Sequence, residues 1–348
     1  MDARETLPEG PDELRYHGGN INLASSRFPH APRPWVDLST GINPLPYPVG
    51  DVAPPVWSRL PEPASVAALE AAALTAYGAR AAAEIVAAAG TQALIQWLSR
   101  IVPARNVGIL DFTYGEHETC WRASGAEVVT VETTSELAAF DVAVVVNPNN
   151  PDGRMLAPDV LAGVALAMAR RGGLLIVDEA FMDAEEPRRS LVPTLPAAGV
   201  IVLRSFGKIY GLAGLRLGFA VTSPKLASTL RKAIGPWAVS GPAIDIGTRA
   251  LADAAWLSGT VARLRDEATR LDLLLRTAGF EIVGGTPLFR LATSKDTARL
   301  FEHLGQAGIL TRPFLTKPEW LRFGIPHAPD DWRRLAAALT PARPVHVQ

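Results

Sequence analysis

The 348-residue sequence contains one cysteine, Cys120, and six histidines. A single cysteine cannot form an internal disulfide, which is typical of proteins that work in a reducing cytoplasm. The histidines and the cysteine lack the spacing of a structural metal site, so no bound metal is expected. The sequence therefore favours a cytoplasmic protein that is held together by its core alone.

Long apolar runs and an excess of charge are also missing. No run approaches the ~20 apolar residues of a membrane helix, and Met1–Thr6 has no apolar signal core. The formal net charge of -1 provides no field that would attract nucleic acid or an anionic membrane. The 29 prolines and 29 glycines are spread along the chain, so neither a low-complexity linker nor a repeat is predicted.

Short apolar segments recur through the first two thirds of the chain and alternate with helix-compatible stretches. Continuous apolar strands that alternate with helices predict an α/β fold with a mostly parallel sheet covered on both faces. Residues 1–60 are irregular and rich in proline, and the part beyond Val221 reads as helices followed by strands, an α+β pattern. We therefore expect an N-terminal arm, a large domain and a smaller C-terminal domain, over residues 1–45, 46–235 and 236–348.

A glycine-rich segment, Ser205–Gly218, follows the predicted strand that begins at Val200. Lys208 lies in this segment at a strand end, where α/β sheets bind ligands, and a desolvated lysine can act as a nucleophile. Ser205 and Arg216 offer a hydroxyl and a guanidinium, which suit a phosphate group. Taken alone, Lys208 could equally be a surface charge beside a turn.

Other chemically suggestive groups also follow predicted strands. Gly90-Thr91-Gln92 begins a predicted helix, whose backbone N–H groups can bind a phosphate and whose cap would be Thr91. Tyr114 could stack on a flat cofactor or simply be packed, and Asn150 lies in a turn-rich segment. Asp178 ends an apolar strand, where a carboxylate needs a partner such as a protonated ring nitrogen or an arginine.

Two glycine-containing pieces, His17–Asn20 and Ser39–Leu45, stand out in the irregular N-terminal part. Both could be anion-binding turns, because glycine lets backbone donors approach a ligand, or both could be plain turns. In the C-terminal part, Arg322 lies on an apolar predicted strand and would need an anionic partner. Arg312 lies ten residues before it and could be a surface charge.

In this order along the chain, the residues resemble those of fold type I pyridoxal-phosphate enzymes, specifically the aminotransferase class I/II superfamily. The resemblance extends over nearly the whole chain and implies a homodimer. It implies that Lys208 forms a Schiff base with the cofactor and that Asp178 pairs with the ring nitrogen. The other implied cofactor contacts are made by Gly90, Thr91, Gln92, Tyr114, Asn150, Ser205 and Arg216.

Arg312 and Arg322 resemble the anion-binding arginines of the branch that contains histidinol-phosphate aminotransferases and threonine-phosphate decarboxylases. The His17–Asn20 turn is similar to the turn of the decarboxylases, which belong to cobalamin biosynthesis. This similarity implies decarboxylation of L-threonine O-3-phosphate to (R)-1-amino-2-propanol O-2-phosphate. It also implies that His17, Asn20 and Asn43 bind this small phosphorylated substrate.

Two alternatives stay open at this point. One is a histidinol-phosphate or related aminotransferase, which would use the same cofactor residues. The other is a binding module that has lost catalysis, although Lys208 and Asp178 are both present.

Two departures from the family pattern also matter: Phe181 replaces a tyrosine that contacts the ring oxygen, and Leu60–Pro63 replaces the Tyr-Pro-Asp-Pro segment that reaches the partner subunit.

Overall fold

The computed structural model describes residues 17–340. The polar segment Met1–Thr6, from which the absence of a signal core was inferred, lies outside the described residues. The chain divides into two compact units, which we name the central unit and the terminal unit. The central unit is Pro46–Val261, and the terminal unit combines the residues up to Leu45 with those from Ala262 onward.

The helices and strands are numbered separately in chain order. The helices are α1 (Ile21–Arg27), α2 (Pro54–Ser58), α3 (Pro63–Ala76), α4 (Thr91–Ile101), α5 (Glu116–Ala123), α6 (Pro158–Ala169), α7 (Phe206–Ile209), α8 (Pro224–Ile234), α9 (Gly241–Ala252), α10 (Ala254–Thr277), α11 (Thr297–Gln306) and α12 (Pro329–Leu339). The strands are β1 (Val36–Asp37), β2 (Glu84–Ala88), β3 (Asn106–Leu110), β4 (Glu127–Val131), β5 (Val142–Val146), β6 (Leu174–Asp178), β7 (Val200–Ser205), β8 (Gly218–Thr222), β9 (Glu281–Thr286), β10 (Phe289–Thr293), β11 (Ile309–Leu310), β12 (Arg312–Pro313) and β13 (Trp320–Gly324).

The central unit is built on a seven-stranded sheet in the order β2-β8-β7-β6-β5-β3-β4. Strands β3 to β7 run parallel to one another, whereas β8 runs antiparallel to both β7 and β2. Every residue of β5, β6, β7 and β8 is buried. Strands buried on both faces read as continuous apolar runs, and the predicted α/β class with a mostly parallel sheet is confirmed.

A core of apolar side chains packs one face of this sheet against helices α4, α5 and α8. Leu94, Leu98 and Trp121 are almost completely buried in it, together with Val107 and Val144 of the sheet. Helix α4 turns one apolar stripe inward, because Leu94, Ile95 and Leu98 follow helical spacing. This packing fixes the start of α4 against the carboxyl ends of the strands.

The terminal unit contains a four-stranded antiparallel sheet in the order β12-β13-β10-β9. A second, two-stranded sheet joins β1 to β11 in parallel, with Val36 opposite Ile309. Strands from the two ends of the sequence thus share one ladder. The helices followed by strands that the sequence predicts beyond Val221 are present, and β1 supplies one pairing that periodicity does not reveal.

Two local expectations differ from the structure. The N-terminal 60 residues contain α1, β1 and α2, whereas the sequence suggested only irregular structure, because helices this short leave no sustained period. The predicted cap of α4 is wrong, since Gly90 occupies the N-cap position and Thr91 is the first helical residue. Gly90 has φ +86°, a conformation that side-chain-bearing residues rarely adopt. Within residues 17–340, no helix has the length and apolarity required to cross a membrane.

Candidate active site

A cavity of about 170 Å³ lies at the carboxyl ends of the parallel strands of the central unit. Every residue predicted to contact a cofactor lines it: Gly90, Thr91, Gln92, Tyr114, Asn150, Asp178, Ser205, Lys208 and Arg216. They come from loops and strand ends that are far apart in the sequence. The topology brings them together because parallel strands end at the same edge of the sheet.

Lys208 lies on α7, the short helix that follows β7. Its Nζ atom is 5.6 Å from the centroid of the Phe181 ring. An aromatic face attracts an ammonium group, so Phe181 can contribute to the position of the lysine even though it has no hydroxyl. The cavity therefore presents an amine beside an apolar wall.

Asp178 is buried at the end of β6, and its main side-chain partner is a histidine that the sequence analysis missed. The Nε2 atom of His117 lies 3.0 Å from Oδ2 of Asp178, and the backbone N–H of Ala180 donates to Oδ1 at 3.1 Å. His117 is 1% exposed. The spacing between Tyr114 and His117 could have indicated this histidine. His117 follows Tyr114 by three residues at the start of α5, so the two side chains can lie on the same side of that turn.

The start of α4 and the segment after α7 approach closely enough to form a small cradle. A Cβ atom on Gly90 would lie 2.7 Å from the Arg216 guanidinium, and one on Gly218 would lie 2.6 Å from the backbone nitrogen of Thr91. Gly218 also pairs with Ser205 across β7 and β8. A guanidinium, a hydroxyl and helix N–H groups thus converge on one place, which suits a phosphate.

The side chain of Gln92 joins two groups at the edge of the cavity. Its amide nitrogen donates to Glu116, and its oxygen accepts a hydrogen bond of 3.4 Å from the Tyr114 hydroxyl. We therefore assign the Gln92 side chain to holding Tyr114. A contact from Gln92 to a phosphate would be made by its backbone N–H.

Asn150 follows β5 in a turn that neighbouring asparagines brace. The side chain of Asn147 exchanges hydrogen bonds with the backbone of Leu156, at 2.7 and 3.2 Å. Asn149 donates to the carbonyl of Phe112 at 2.8 Å. These contacts hold the turn so that Asn150 faces the cavity.

The two arginines predicted to bind substrate anions lie in the terminal unit. Arg312 and Arg322 are directly opposite each other on β12 and β13. Arg322 is 3% exposed, donates to the carbonyl of Ser39 at 2.8 Å and lies over the ring of Phe289. The two arginines therefore lie side by side on neighbouring strands of one sheet.

Ser39 connects Arg322 to the N-terminal turn. The backbone carbonyl of Ser39 accepts a hydrogen bond from Arg322. The side-chain hydroxyl of Ser39 accepts a hydrogen bond of 2.7 Å from the backbone N–H of Gly19 and donates one to the Asp37 carboxylate. A Cβ atom on Gly18 would lie only 2.2 Å from the Ser39 carbonyl oxygen. The two N-terminal pieces that the sequence singled out are thus packed against each other.

The remaining predicted substrate residues are held by local contacts. Asn20 caps helix α1 by accepting from the N–H of Leu23, and His17 is half-buried. The Asn43 side-chain oxygen accepts from Arg263 at 2.7 Å and from the backbone of Leu45 at 3.1 Å. Their part in substrate binding stays a prediction.

The fold and the cavity together define a fold type I α/β enzyme architecture. Residues 52–339 match the model of the family described as aminotransferase class I and II. The chain belongs to that family, and the resemblance inferred from its motifs is confirmed.

Relatives and solved structures agree with this assignment. The chain is 42% identical to a threonine-phosphate decarboxylase of Pseudomonas aeruginosa over 93% of this chain and 96% of the relative. It is 43% identical to a threonine-phosphate decarboxylase of a Sinorhizobium species, over 93% of this chain and 97% of the relative. Its fold is similar to that of histidinol-phosphate aminotransferase from Sinorhizobium meliloti in complex with pyridoxal 5'-phosphate, with a TM-score of 0.80, 20% identity and 97% coverage of both chains.

Proposed function

We propose that this chain is a pyridoxal-phosphate-dependent carboxy-lyase of cobalamin biosynthesis. The substrate would be L-threonine O-3-phosphate and the product (R)-1-amino-2-propanol O-2-phosphate. The observation that carries the proposal is the 42–43% identity, over 93% of the chain, to two threonine-phosphate decarboxylases. The cavity and the arginine pair described above supply the physical support.

The residues of the cavity fit the parts of pyridoxal 5'-phosphate. The close approach of Gly90 to Arg216 leaves no room for a side chain and forms a cradle for the phosphate, to which Ser205 also belongs. Asp178 would hold the ring nitrogen, and Lys208 would hold the aldehyde carbon. When bound, the cofactor supplies a sink for the electron pair that is released at the substrate Cα.

Asp178 and His117 have a defined electrostatic role in this proposal. A carboxylate that is buried and hydrogen-bonded favours a protonated nitrogen in front of it. His117 behind Asp178 fixes the orientation of the carboxylate. The pair would thereby keep the cofactor ring nitrogen protonated.

Arg322 is our first choice for binding a substrate anion, and Arg312 is the second. The substrate carries a phosphate and a carboxylate, and a guanidinium binds either in a bidentate manner. His17, Asn20 and Asn43 would complete the substrate site.

The proposed reaction replaces the substrate carboxylate with hydrogen. The bond between Cα and the carboxylate breaks, carbon dioxide leaves, and one proton is added to Cα. We assign delivery of that proton to the Lys208 ammonium group, since Lys208 carries the amine of the cavity. Phe181 beside it keeps water from one side of the amine.

The test is to incubate the purified protein with pyridoxal phosphate and L-threonine O-3-phosphate and to measure carbon dioxide. We expect gas release that depends on the substrate and is lost in Lys208→Ala. Product formation that requires a keto acid and releases no gas would instead support the histidinol-phosphate or related aminotransferase. A protein that never takes up the cofactor would support a binding module.

We further propose that the protein is a cytoplasmic homodimer. Three large apolar side chains of the central unit are at least 60% exposed: Trp57 at 67%, Leu60 at 65% and Trp237 at 60%. A Cβ atom on Gly241 would touch the carbonyl of Val56, so α2 adjoins the start of α9, which follows Trp237 closely in the sequence. An exposed aromatic patch of this kind suits a second copy of the chain.

A further inference from the structure

Behind the cavity, on the opposite side of strands β6 and β7, lies a buried ionic cluster. Arg204 is 1% exposed, and Nη1 donates to Glu179 at 2.8 Å and to the Ser190 hydroxyl at 3.1 Å. Its Nη2 donates to Asp183, and its guanidinium lies 4.3 Å from the ring centroid of Tyr77. None of these residues takes part in the proposed chemistry.

The partners of Arg204 are themselves fully engaged. Glu179 is completely buried and also accepts from the Ser190 hydroxyl at 2.6 Å and the Leu191 N–H at 2.7 Å. Burial raises the pKa of Glu179, while the guanidinium opposes this shift. The Arg204 pKa is raised because Asp183 and Glu179 outweigh its desolvation.

The position of the cluster in the sequence is what links it to the cavity. Glu179 directly follows Asp178, and Arg204 directly precedes Ser205. Successive side chains at a strand end point to opposite faces, so Asp178 and Ser205 line the cavity while the ion pair lies behind them. The backbone N–H of Glu179 donates to the carbonyl of Leu203 at 2.9 Å, which continues the β6–β7 ladder to this point.

We propose that the Arg204–Glu179 ion pair is a positioning device, which fixes the spacing of Asp178 and Ser205 and thereby sets the affinity for the cofactor. A guanidinium fork has a rigid geometry, so it can hold two neighbouring strand ends in one register. Buried ion pairs contribute little net stability compared with apolar groups, and a role in specifying geometry is their better-attested use. This inference rests on the proposed cofactor.

The test variant is the double substitution Glu179→Gln with Arg204→Met, which removes one charge of each sign. The amide oxygen introduced by Glu179→Gln can still accept from the Leu191 N–H, and Asp183 retains Arg188 at 3.9 Å, so we expect the variant to fold. The cofactor dissociation constant is measured by titrating the apo-protein with pyridoxal phosphate and following visible absorbance. We expect it to rise about tenfold, which corresponds to the loss of roughly one hydrogen bond to the cofactor.

Arg231→Met is the matched control, because Arg231 also binds two carboxylates, Glu70 and Glu84, but lies on α8 near the outer strand β2. We expect its cofactor affinity to equal that of the wild type. If the double variant is unstable, Arg204→Lys serves instead, since it keeps the charge and loses the fork; we expect the same direction of change.

A folded double variant, or Arg204→Lys, with the wild-type dissociation constant would overturn the proposal. A rise in the dissociation constant that Arg231→Met reproduces would also overturn it. A wild-type protein that does not bind pyridoxal phosphate would instead overturn the proposed function on which this inference rests.

Discussion

A carboxylate buried at the end of a strand requires a donor, and His117 provides one to Asp178. The distance of 3.0 Å and the burial of both side chains make this a strong hydrogen bond, because a charged acceptor is involved and water is excluded. The sequence predicted that Asp178 needs a partner in front of it. It did not predict the partner behind it, since the two residues are 61 positions apart.

We expect His117→Leu to lower kcat/KM for decarboxylation roughly 10- to 100-fold, the value of one hydrogen bond to a buried charge. His117→Gln should retain most of the activity, because its amide nitrogen can reach the same carboxylate oxygen. Steady-state kinetics of the two variants measure the difference. Equal activity of His117→Leu and the wild type would show that Asp178 does not depend on this donor.

The substitution Gly18→Ala tests whether the N-terminal turn belongs to the substrate site. In Gly18→Ala, the new methyl group would meet the Ser39 carbonyl at 2.2 Å, and backbone cannot yield as a side chain can. We expect KM for the phosphorylated substrate to rise by roughly tenfold or more, with cofactor binding unchanged. Gly163→Ala on α6 is the control, because a Cβ atom there would meet no atom within 4 Å. An unchanged KM would remove this turn from the substrate site.

At the scale of elements, the packing of α7 is a feature that could not be predicted from the sequence. Four residues are too few for a stable isolated helix. The helix is held by aromatic stacking instead: the rings of Phe206 and Tyr210 are 4.3 Å apart, and Tyr210 stacks on Trp256 at 5.6 Å. The position of Lys208 was predictable from the strand before it, but this packing depends on a tryptophan far along the chain.

A second element-level contact joins the starts of β3 and β5. The Asp141 carboxylate accepts from the backbone N–H groups of Arg105 at 2.8 Å and Asn106 at 3.4 Å, and Asn106 accepts in return from the Asp141 N–H. These donors hold the pKa of Asp141 below its usual 3.8. The unfolded chain therefore binds more protons than the folded one below that value, and acid removes the stabilisation.

We expect the free energy of unfolding of Asp141→Asn to fall less steeply with decreasing pH than that of the wild type. Asp141 contributes its full share above the unfolded pKa of 3.8 and loses it as the pH falls towards the lower folded value. Urea unfolding from about pH 5 to about pH 3 measures this loss. If the free energy of unfolding of Asp141→Asn fell more steeply with decreasing pH than that of the wild type, the lowered pKa of Asp141 would be contradicted.

At the scale of the whole molecule, the fold class was the easiest feature to predict. Buried strands such as β5 and β6 are apolar at every residue before their carboxyl ends, so the pattern indicates a covered parallel sheet. The pairing of β1 with β11 was not predictable, because two residues carry no periodicity. The exposed aromatic patch likewise becomes visible only when burial is known.

The proposed homodimer makes a direct prediction for this patch. We expect Trp57→Glu combined with Trp237→Glu to convert the dimer into a species of 37.1 kDa, because two charges would enter an apolar interface. Sedimentation analysis gives the mass. Leu166→Glu, at another exposed apolar site on α6, should leave the dimer intact. Retention of the dimer in the double variant would place the interface elsewhere.

The ladder between β1 and β11 also bears on how the protein is made. Val36 leaves the ribosome long before its partner Ile309 exists, and at about 5–20 residues per second the wait is on the order of tens of seconds. All residues that line the cavity of the central unit are synthesised within that interval, ahead of Arg312 and Arg322. A nascent chain can therefore contain every residue proposed to bind the cofactor while the arginines proposed for the substrate are still untranslated.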